Sequence, residues 1–323
     1  MKVTKLVATA ALCAVTTPMA MLPAAAAVDL SENFSVEGYV GSSYRYIDAD
    51  DTSDRFDIDA AKLLFTAKFA PVTGVFSFYY APGAPEDVTL LDAYVGYDAG
   101  NGLSLSFGKF LSWHGYEAFD IANMYQLTYA SGDFLGGIPG YHHGIRIEQS
   151  GEGWVGGFAL LDSVYTPSGL YLEGDGELKD NIGIEAYYKY TGFDKTTLYV
   201  GAAYDTEGGF QPDDVFMFNF WGEYAVTDNL TAAAELIFKD SGDSDGFGWT
   251  LYGNYRFTDT YSAMFRVAGE DIDDGPSFFR VSAAPSWSIS PNFLIRAELT
   301  YTDYSDAGLD NATFFGVQSI FKF

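Results

Sequence analysis

Three histidines bracket the longest break in the alternating pattern of polar and apolar residues. His114 stands at the start of this break, and His142 and His143 stand at its end. With Ser112 close to His114, an imidazole could take the proton of a serine hydroxyl, as in a hydrolase. With Glu117, the three rings could hold zinc, which binds imidazole and carboxylate ligands. The residue types therefore allow either chemistry.

The sequence around these residues favours neither. No segment near the serines resembles a nucleophile elbow. The spacing of the histidines and Glu117 matches no recognised zinc pattern. We therefore predict that the histidines pack with aromatic residues where a loop meets a wall. We expect no catalytic residues, no metal and no cofactor, and so no enzyme.

The composition excludes other classes of partner and site. The chain has 323 residues, with 44 acidic against 17 basic side chains and a formal net charge of −27. This excess of acid excludes nucleic acid as a partner, because the phosphate backbone would be repelled. Cys13 is the single cysteine, so the chain has no internal disulfide. Aromatic residues are 17% of the chain.

The N-terminus predicts export. Lys2 and Lys5 precede a short apolar run, and the small residues Ala25–Ala27 follow. This arrangement is typical of a secretory signal peptide, residues 1–27, cut after Ala27. From Val28 onward, no apolar run reaches the roughly 18 residues that a membrane helix requires.

The remaining residues, 28–323, alternate in a way that predicts strands. In Asn292–Tyr301, Phe293, Ile295 and Leu299 share one face, and polar side chains dominate the other. Similar segments recur, separated by seven short connectors and eight longer, acidic ones. The pattern predicts an all-β fold: one transmembrane antiparallel barrel of about sixteen strands, with fourteen to eighteen open. Short turns would lie at the periplasmic side and longer loops outside the cell.

The last strand carries a further signal. Phe315, Val317, Phe321 and Phe323 occupy alternate positions at the C-terminus. A final strand ending in phenylalanine resembles the signal read by the machinery that inserts barrels into the outer membrane. The expected partners are therefore this machinery and outer-membrane lipid.

The long break also carries a family resemblance. "GKFLSWHGYE" (residues 108–117), Asn123 and "IPGYHHGIR" (residues 138–146) are similar to the central signature of the OmpL-like β-barrel porins of the porin-2 family. The segment 125–133 departs from the serine-rich run usual in that family. The resemblance implies a barrel with a pore and transfers no catalytic residues.

The break, at about residues 111–141, is the third long connector. In general diffusion porins the third loop folds into the barrel and narrows it. We therefore expect this loop to enter or cap the lumen. Its expected constriction residues are Trp113, His114, Tyr116, Glu117, Asp120 and Asp133.

Charges on the polar phase of the strands predict the lining of the pore. Four consecutive predicted strands each carry an arginine on their polar face: Arg256, Arg266, Arg280 and Arg296. Facing lipid, each would cost about 2–4 kcal/mol near the middle of the bilayer, so they should form a basic wall in the lumen. The alternative is that they form ion pairs that only fill the lumen. Acidic residues share the polar phase: Glu37, Asp92, Glu148, Glu185 and Glu298.

The predicted function is passive diffusion of small hydrophilic solutes and ions across the outer membrane. The acidic loops predict a modest preference for cations, because they enrich cations at the mouth. Two alternatives stay open: a barrel hydrolase acting on lipid, and a structural or adhesive barrel with a plugged lumen. The sequence is also compatible with a homo-oligomer.

Overall fold

The computed structural model describes most of the chain beyond the N-terminus. The described residues are 27–49, 52–82, 88–130, 135–136, 138–165, 178–179, 181–207, 213–242, 245–273, 275–305 and 308–323. The expected signal peptide, up to residue 26, and the expected constriction residue Asp133 lie outside them.

β-strands make up nearly all the regular structure of these residues. They are β1 Val28–Ser31, β2 Phe34–Asp48, β3 Ser53–Phe69, β4 Val72–Tyr80, β5 Thr89–Gly100, β6 Leu103–Leu111, β7 Tyr141–Gly151, β8 Trp154–Leu161, β9 Gly183–Phe193, β10 Thr196–Asp205, β11 Val215–Ala225, β12 Leu230–Asp240, β13 Gly246–Arg256, β14 Tyr261–Ile272, β15 Ser277–Ser290, β16 Phe293–Ser305 and β17 Ala312–Lys322. A 3₁₀ turn spans Ile121–Asn123. Within the described part of the chain, no helix is long and apolar enough to cross a membrane.

Strands β2 to β17 form one closed barrel. Each pairs antiparallel with the next along the chain, and β17 pairs with β2, for example Phe321 with Val40. Closure leaves no unpaired strand edge, which hydrocarbon could not satisfy. The short β1 pairs with the first residues of β2 as an extra strand. The predicted all-β barrel of about sixteen strands is confirmed.

The alternation of side chains follows the sequence pattern. In β14, Phe265 points outward and is 60% exposed, whereas the adjacent Arg266 points inward and is 1% exposed. Arg266 lies opposite Ser282 of β15, and Val267 lies opposite Val281. Because side chains alternate with a period of two, one face of every strand is apolar and the other carries the polar groups.

Connector lengths also alternate. One end of the barrel carries tight turns, such as the one between β5 and β6, where Asn101 adopts φ 55° between two glycines of positive φ. The other end carries the longer connectors. The longest of them, residues 112–140 between β6 and β7, is the third at that end. We call this segment loop 3.

The packed core lies inside the barrel, where loop 3 meets the wall. One buried cluster joins Trp113 and Tyr116 of the loop to wall aromatics such as Tyr199 and Trp221. A second cluster, on β2 to β5 and β16 to β17, packs against Phe119 and the 3₁₀ turn. Loop 3 is therefore part of the folded interior.

Candidate pore and its docked loop

Loop 3 first runs along the inner wall of β9 to β12. Ser112 donates to the carboxylate of Glu185 on β9, at 2.6 Å. The backbone N–H of Gly115 donates to Asn219 on β11, at 3.0 Å. The backbone N–H of Tyr116 donates to Glu235 on β12, at 2.7 Å. Inward-facing polar side chains thus satisfy backbone N–H groups of Gly115 and Tyr116, which lie outside the strands.

The loop then crosses the lumen within four residues. Glu117 accepts a hydrogen bond from Arg266 of β14, at 2.7 Å. Asp120 lies 3.2 Å from the ammonium of Lys62 on β3. It also accepts a hydrogen bond from Tyr39 of β2, at 3.0 Å. Since β14 and β3 are separated by several strands in either direction around the barrel, this crossing divides the lumen.

The return path follows β16 and β15. Arg296 donates to the carbonyls of Ile121 and Met124. Glu298 accepts from the backbone N–H of Thr128, at 2.9 Å. Arg280 donates to the carbonyl of Tyr129, at 3.0 Å. Wall arginines therefore bind loop carbonyls, and a wall carboxylate binds a loop N–H.

The structure separates the four arginines of the predicted basic wall. Arg266, Arg280 and Arg296 come together on consecutive strands and are buried beneath loop 3. Arg256 lies apart, at the turn end of β13, and donates to the backbone carbonyl of Asp228 at 3.0 Å. Three of the four are thus anchors of the loop.

The predicted acidic residues also fall into two groups. Glu185 and Glu298 are buried against loop 3. Asp92 is buried beside Lys62, at 3.2 Å. Glu37 is exposed towards the interior, and Glu148 is partly exposed there. Glu185, Glu298 and Asp92 are therefore buried, and water reaches only Glu37 and Glu148 among these five carboxylates.

The loop residues predicted to form a constriction have different roles in the structure. Trp113 and Tyr116 are buried in the aromatic cluster, where Trp113 packs against Tyr187 with tilted rings whose centroids lie 4.8 Å apart. Glu117 and Asp120 hold the crossing, and the side chain of Asp120 keeps 26% of its surface exposed. The acidic edge of the crossing is therefore open to solvent.

The histidines do not form a catalytic arrangement with the neighbouring serine. Ser112 donates to Glu185 and not to an imidazole. His114 is buried and its Nδ1 lies 3.0 Å from the hydroxyl of Tyr199. His143 lies 3.2 Å from Asp162. Among the described residues, no cluster of three metal-ligating side chains is present.

Burial gives His114 a testable effect on stability. Loss of solvation lowers the pKa of His114 to about 3. Between pH 6.5 and 3 the unfolded state therefore binds a proton at His114 that the folded state does not, so this residue alone lowers stability by about 1.4 kcal/mol per pH unit of acidification. His114→Gln can keep a hydrogen bond to Tyr199, and it should remove this slope. Urea unfolding at pH 6 and pH 4 measures the difference, and equal pH slopes in both proteins would contradict it.

Two basic residues were missed by the interpretation of the sequence. Lys62 lies among apolar residues beside a β-bulge at Gly41–Ser42, which obscures its phase. Arg146 lies between the outward-facing Ile145 and Ile147, so alternation did place it inside. Its guanidinium lies 4.3 Å from the ring centroid of Phe110. The alternation of polar and apolar residues therefore indicates an inward position for Arg146, whereas it does not for Lys62.

The fold and interior together define a class of protein. A closed sixteen-stranded barrel with an apolar exterior, a charged interior and an in-folded third loop is an outer-membrane β-barrel of the porin type. Residues 46–323 match the family model described as "putative beta-barrel porin-2, OmpL-like". The chain belongs to this family, as the sequence resemblance predicted.

Solved structures share this fold at low sequence identity. The high-pH structure of Pseudomonas putida OprB is 13% identical, with a TM-score of 0.71 over 90% of this chain and 94% of that one. An anion-selective porin from Comamonas acidovorans is 12% identical, with a TM-score of 0.68 over 90% and 99%. The trimer form of OmpT, a Vibrio cholerae outer-membrane protein, is 14% identical, with a TM-score of 0.62 over 90% and 100%. No curated protein sequence matches the chain.

Proposed function

We propose that this porin lets small hydrophilic solutes and ions diffuse across the outer membrane, with a modest preference for cations. Membership of the porin family carries the proposal. A barrel of sixteen strands is wide enough to hold an aqueous channel. Loop 3 crosses this space and sets the narrowest cross-section.

The proposed cation preference rests on the charges that water can reach at the level of the loop. The three buried arginines make hydrogen bonds to loop 3, and Arg266 is also paired with Glu117 and Glu298. The accessible carboxylates include Glu37, Asp120, Glu148 and Glu223. The accessible cations include Arg146 and, close to Glu37, Lys68. Fixed negative charge along a water-filled path favours cations through ordinary electrostatics.

Removal of these carboxylates should weaken the preference. We expect Glu37→Gln combined with Glu148→Gln to move the reversal potential in a KCl gradient towards zero, because two fixed charges leave the lumen. The effect should shrink at high salt, since the screening length falls from about 10 Å at 0.1 M to about 3 Å at 1 M. Asp194→Asn, in the exposed turn between β9 and β10, is the matched control and should change little. An unmodified channel that prefers anions would contradict the proposed selectivity.

One observation favours a second candidate function. Loop 3 is docked by hydrogen bonds to β9, β11, β12, β14, β15 and β16, and it buries most of their inward-facing side chains. A barrel closed by such a plug would serve a structural or adhesive role. Such a barrel would insert into a bilayer without conducting, whereas the proposed porin conducts as soon as it inserts.

Several features of the sequence complete the proposal. Residues 1–27 would export the chain as a signal peptide. The strand ending at Phe323 would direct insertion into the outer membrane. The short turns would then face the periplasm. Assembly as a homo-oligomer is compatible with the trimer form described for OmpT of Vibrio cholerae. A hydrolase acting on lipid has little support, because Ser112 donates to a buried carboxylate.

A further inference from the structure

Arg146 differs from the other arginines of the barrel. Within the described part of the chain, six arginines donate hydrogen bonds or form ion pairs: Arg45, Arg55, Arg256, Arg266, Arg280 and Arg296. Arg146 has neither a hydrogen bond nor an ion pair there, and its Nε is buried without an acceptor. A guanidinium carries five N–H donors, and leaving them without acceptors costs free energy.

Aromatic rings hold this guanidinium in place. Its central carbon lies 4.3 Å from the ring centroid of Phe110, 5.2 Å from that of Tyr94 and 5.6 Å from that of Trp113. Each of these contacts falls within the range of cation–π attraction. Phe110 and Trp113 are themselves buried. The ring faces therefore fix the orientation of the guanidinium without neutralising its charge.

The Arg146 side chain belongs to the inward-facing row of β7. Arg146 is partly exposed on the inward face of β7. Glu148, the next inward residue on β7, lies about 7 Å further along the strand. Its carboxylate accepts a hydrogen bond from Tyr187, at 2.6 Å, and forms no ion pair with Arg146. The wall thus offers a fixed donor fork, and no described residue supplies an acceptor for it within hydrogen-bond distance.

We propose that Arg146 and its aromatic cage form a binding site in the pore for the carboxylate of a permeating solute. A guanidinium fork matches a carboxylate through two parallel hydrogen bonds, which a lysine cannot reproduce. The rings pre-organise the fork, so little side-chain entropy is lost when the anion binds. Small hydrophilic carboxylates are therefore retained at this point while other solutes pass. The site rests on the proposed porin function and names one class of solute for it.

Current recordings with a matched pair of solutes test the site. D-gluconate and sorbitol have the same carbon chain, and only gluconate carries a carboxylate. In single-channel recordings in KCl, gluconate should reduce the current through the unmodified channel at concentrations where sorbitol does not. Arg146→Gln should raise the half-blocking concentration of gluconate about tenfold or more, because it removes a charged donor.

Two further variants separate the fork from its charge. Arg146→Lys keeps the charge, and it should still weaken gluconate block because it lacks the fork. Lys195→Gln removes a positive charge from an exposed turn and should leave the block unchanged. Equal block by gluconate and sorbitol in the unmodified channel would overturn the site, even if Arg146→Gln failed to fold. A folded protein without any current steps would instead contradict the porin function itself.

Discussion

We expect the single-channel conductance to rise about twofold or more when Phe119–Ala130 is replaced by a short Gly-Ser linker. The reason is that a sixteen-stranded barrel without its crossing loop holds a wide aqueous channel. This segment contains Asp120, which reaches the wall at Lys62, and Thr128, which binds Glu298. Without it, the lumen loses its partition.

The same deletion should also change ion selectivity. It removes the loop carbonyls that Arg280 and Arg296 bind. These arginines would then face water as uncompensated positive charge, so the reversal potential should shift towards anions. Replacement of the connector between β10 and β11, residues 206–214, by the same Gly-Ser linker is the control and should alter neither property. A folded deletion variant with unchanged conductance would place loop 3 outside the conducting path.

The second large effect concerns the stability of the docked loop. Arg266 is 1% exposed and bonds to Glu117 at 2.7 Å and to Glu298 at 3.4 Å. Arg266→Leu leaves both carboxylates buried without this partner, which typically costs about 3–5 kcal/mol. We expect a loss of this size in the free energy of unfolding, measured with urea in detergent or lipid. Open-channel current noise should rise as the loop loosens.

An exposed ion pair provides the matched control. Arg55 lies 2.6 Å from Asp57, but its side chain is 62% exposed. Because solvent screens such pairs, Arg55→Leu should cost at most about 1 kcal/mol. If both variants lost the same small amount of stability, Arg266 would not anchor the loop.

Much of the fold could be predicted from the sequence, because barrels obey a period of two. The alternation around Arg266 and Arg296 placed both inside, and the structure has them there. The position of residues 111–141 as the third long connector led to the expectation that this loop enters or caps the lumen. These inferences need only local pattern and the cost of charge in lipid.

The partners of the inward side chains could not be predicted in the same way. Arg266 lies 149 positions from Glu117, and Arg296 lies 172 positions from Met124. Such contacts depend on how loop 3 folds back on the wall, and no local pattern records that path. Alternation therefore placed Arg266 and Arg296 on the inner side of the wall, but it did not show whether loop 3 would cover them.

The central claim is that loop 3 divides a water-filled barrel without closing it. The most direct test is the single-channel current of the purified, folded protein in a planar bilayer under symmetrical KCl. We expect discrete current steps of one size, with a conductance that rises with salt. Insertion of folded barrels without any steps, followed by steps only after deletion of Phe119–Ala130, would show that loop 3 seals the barrel.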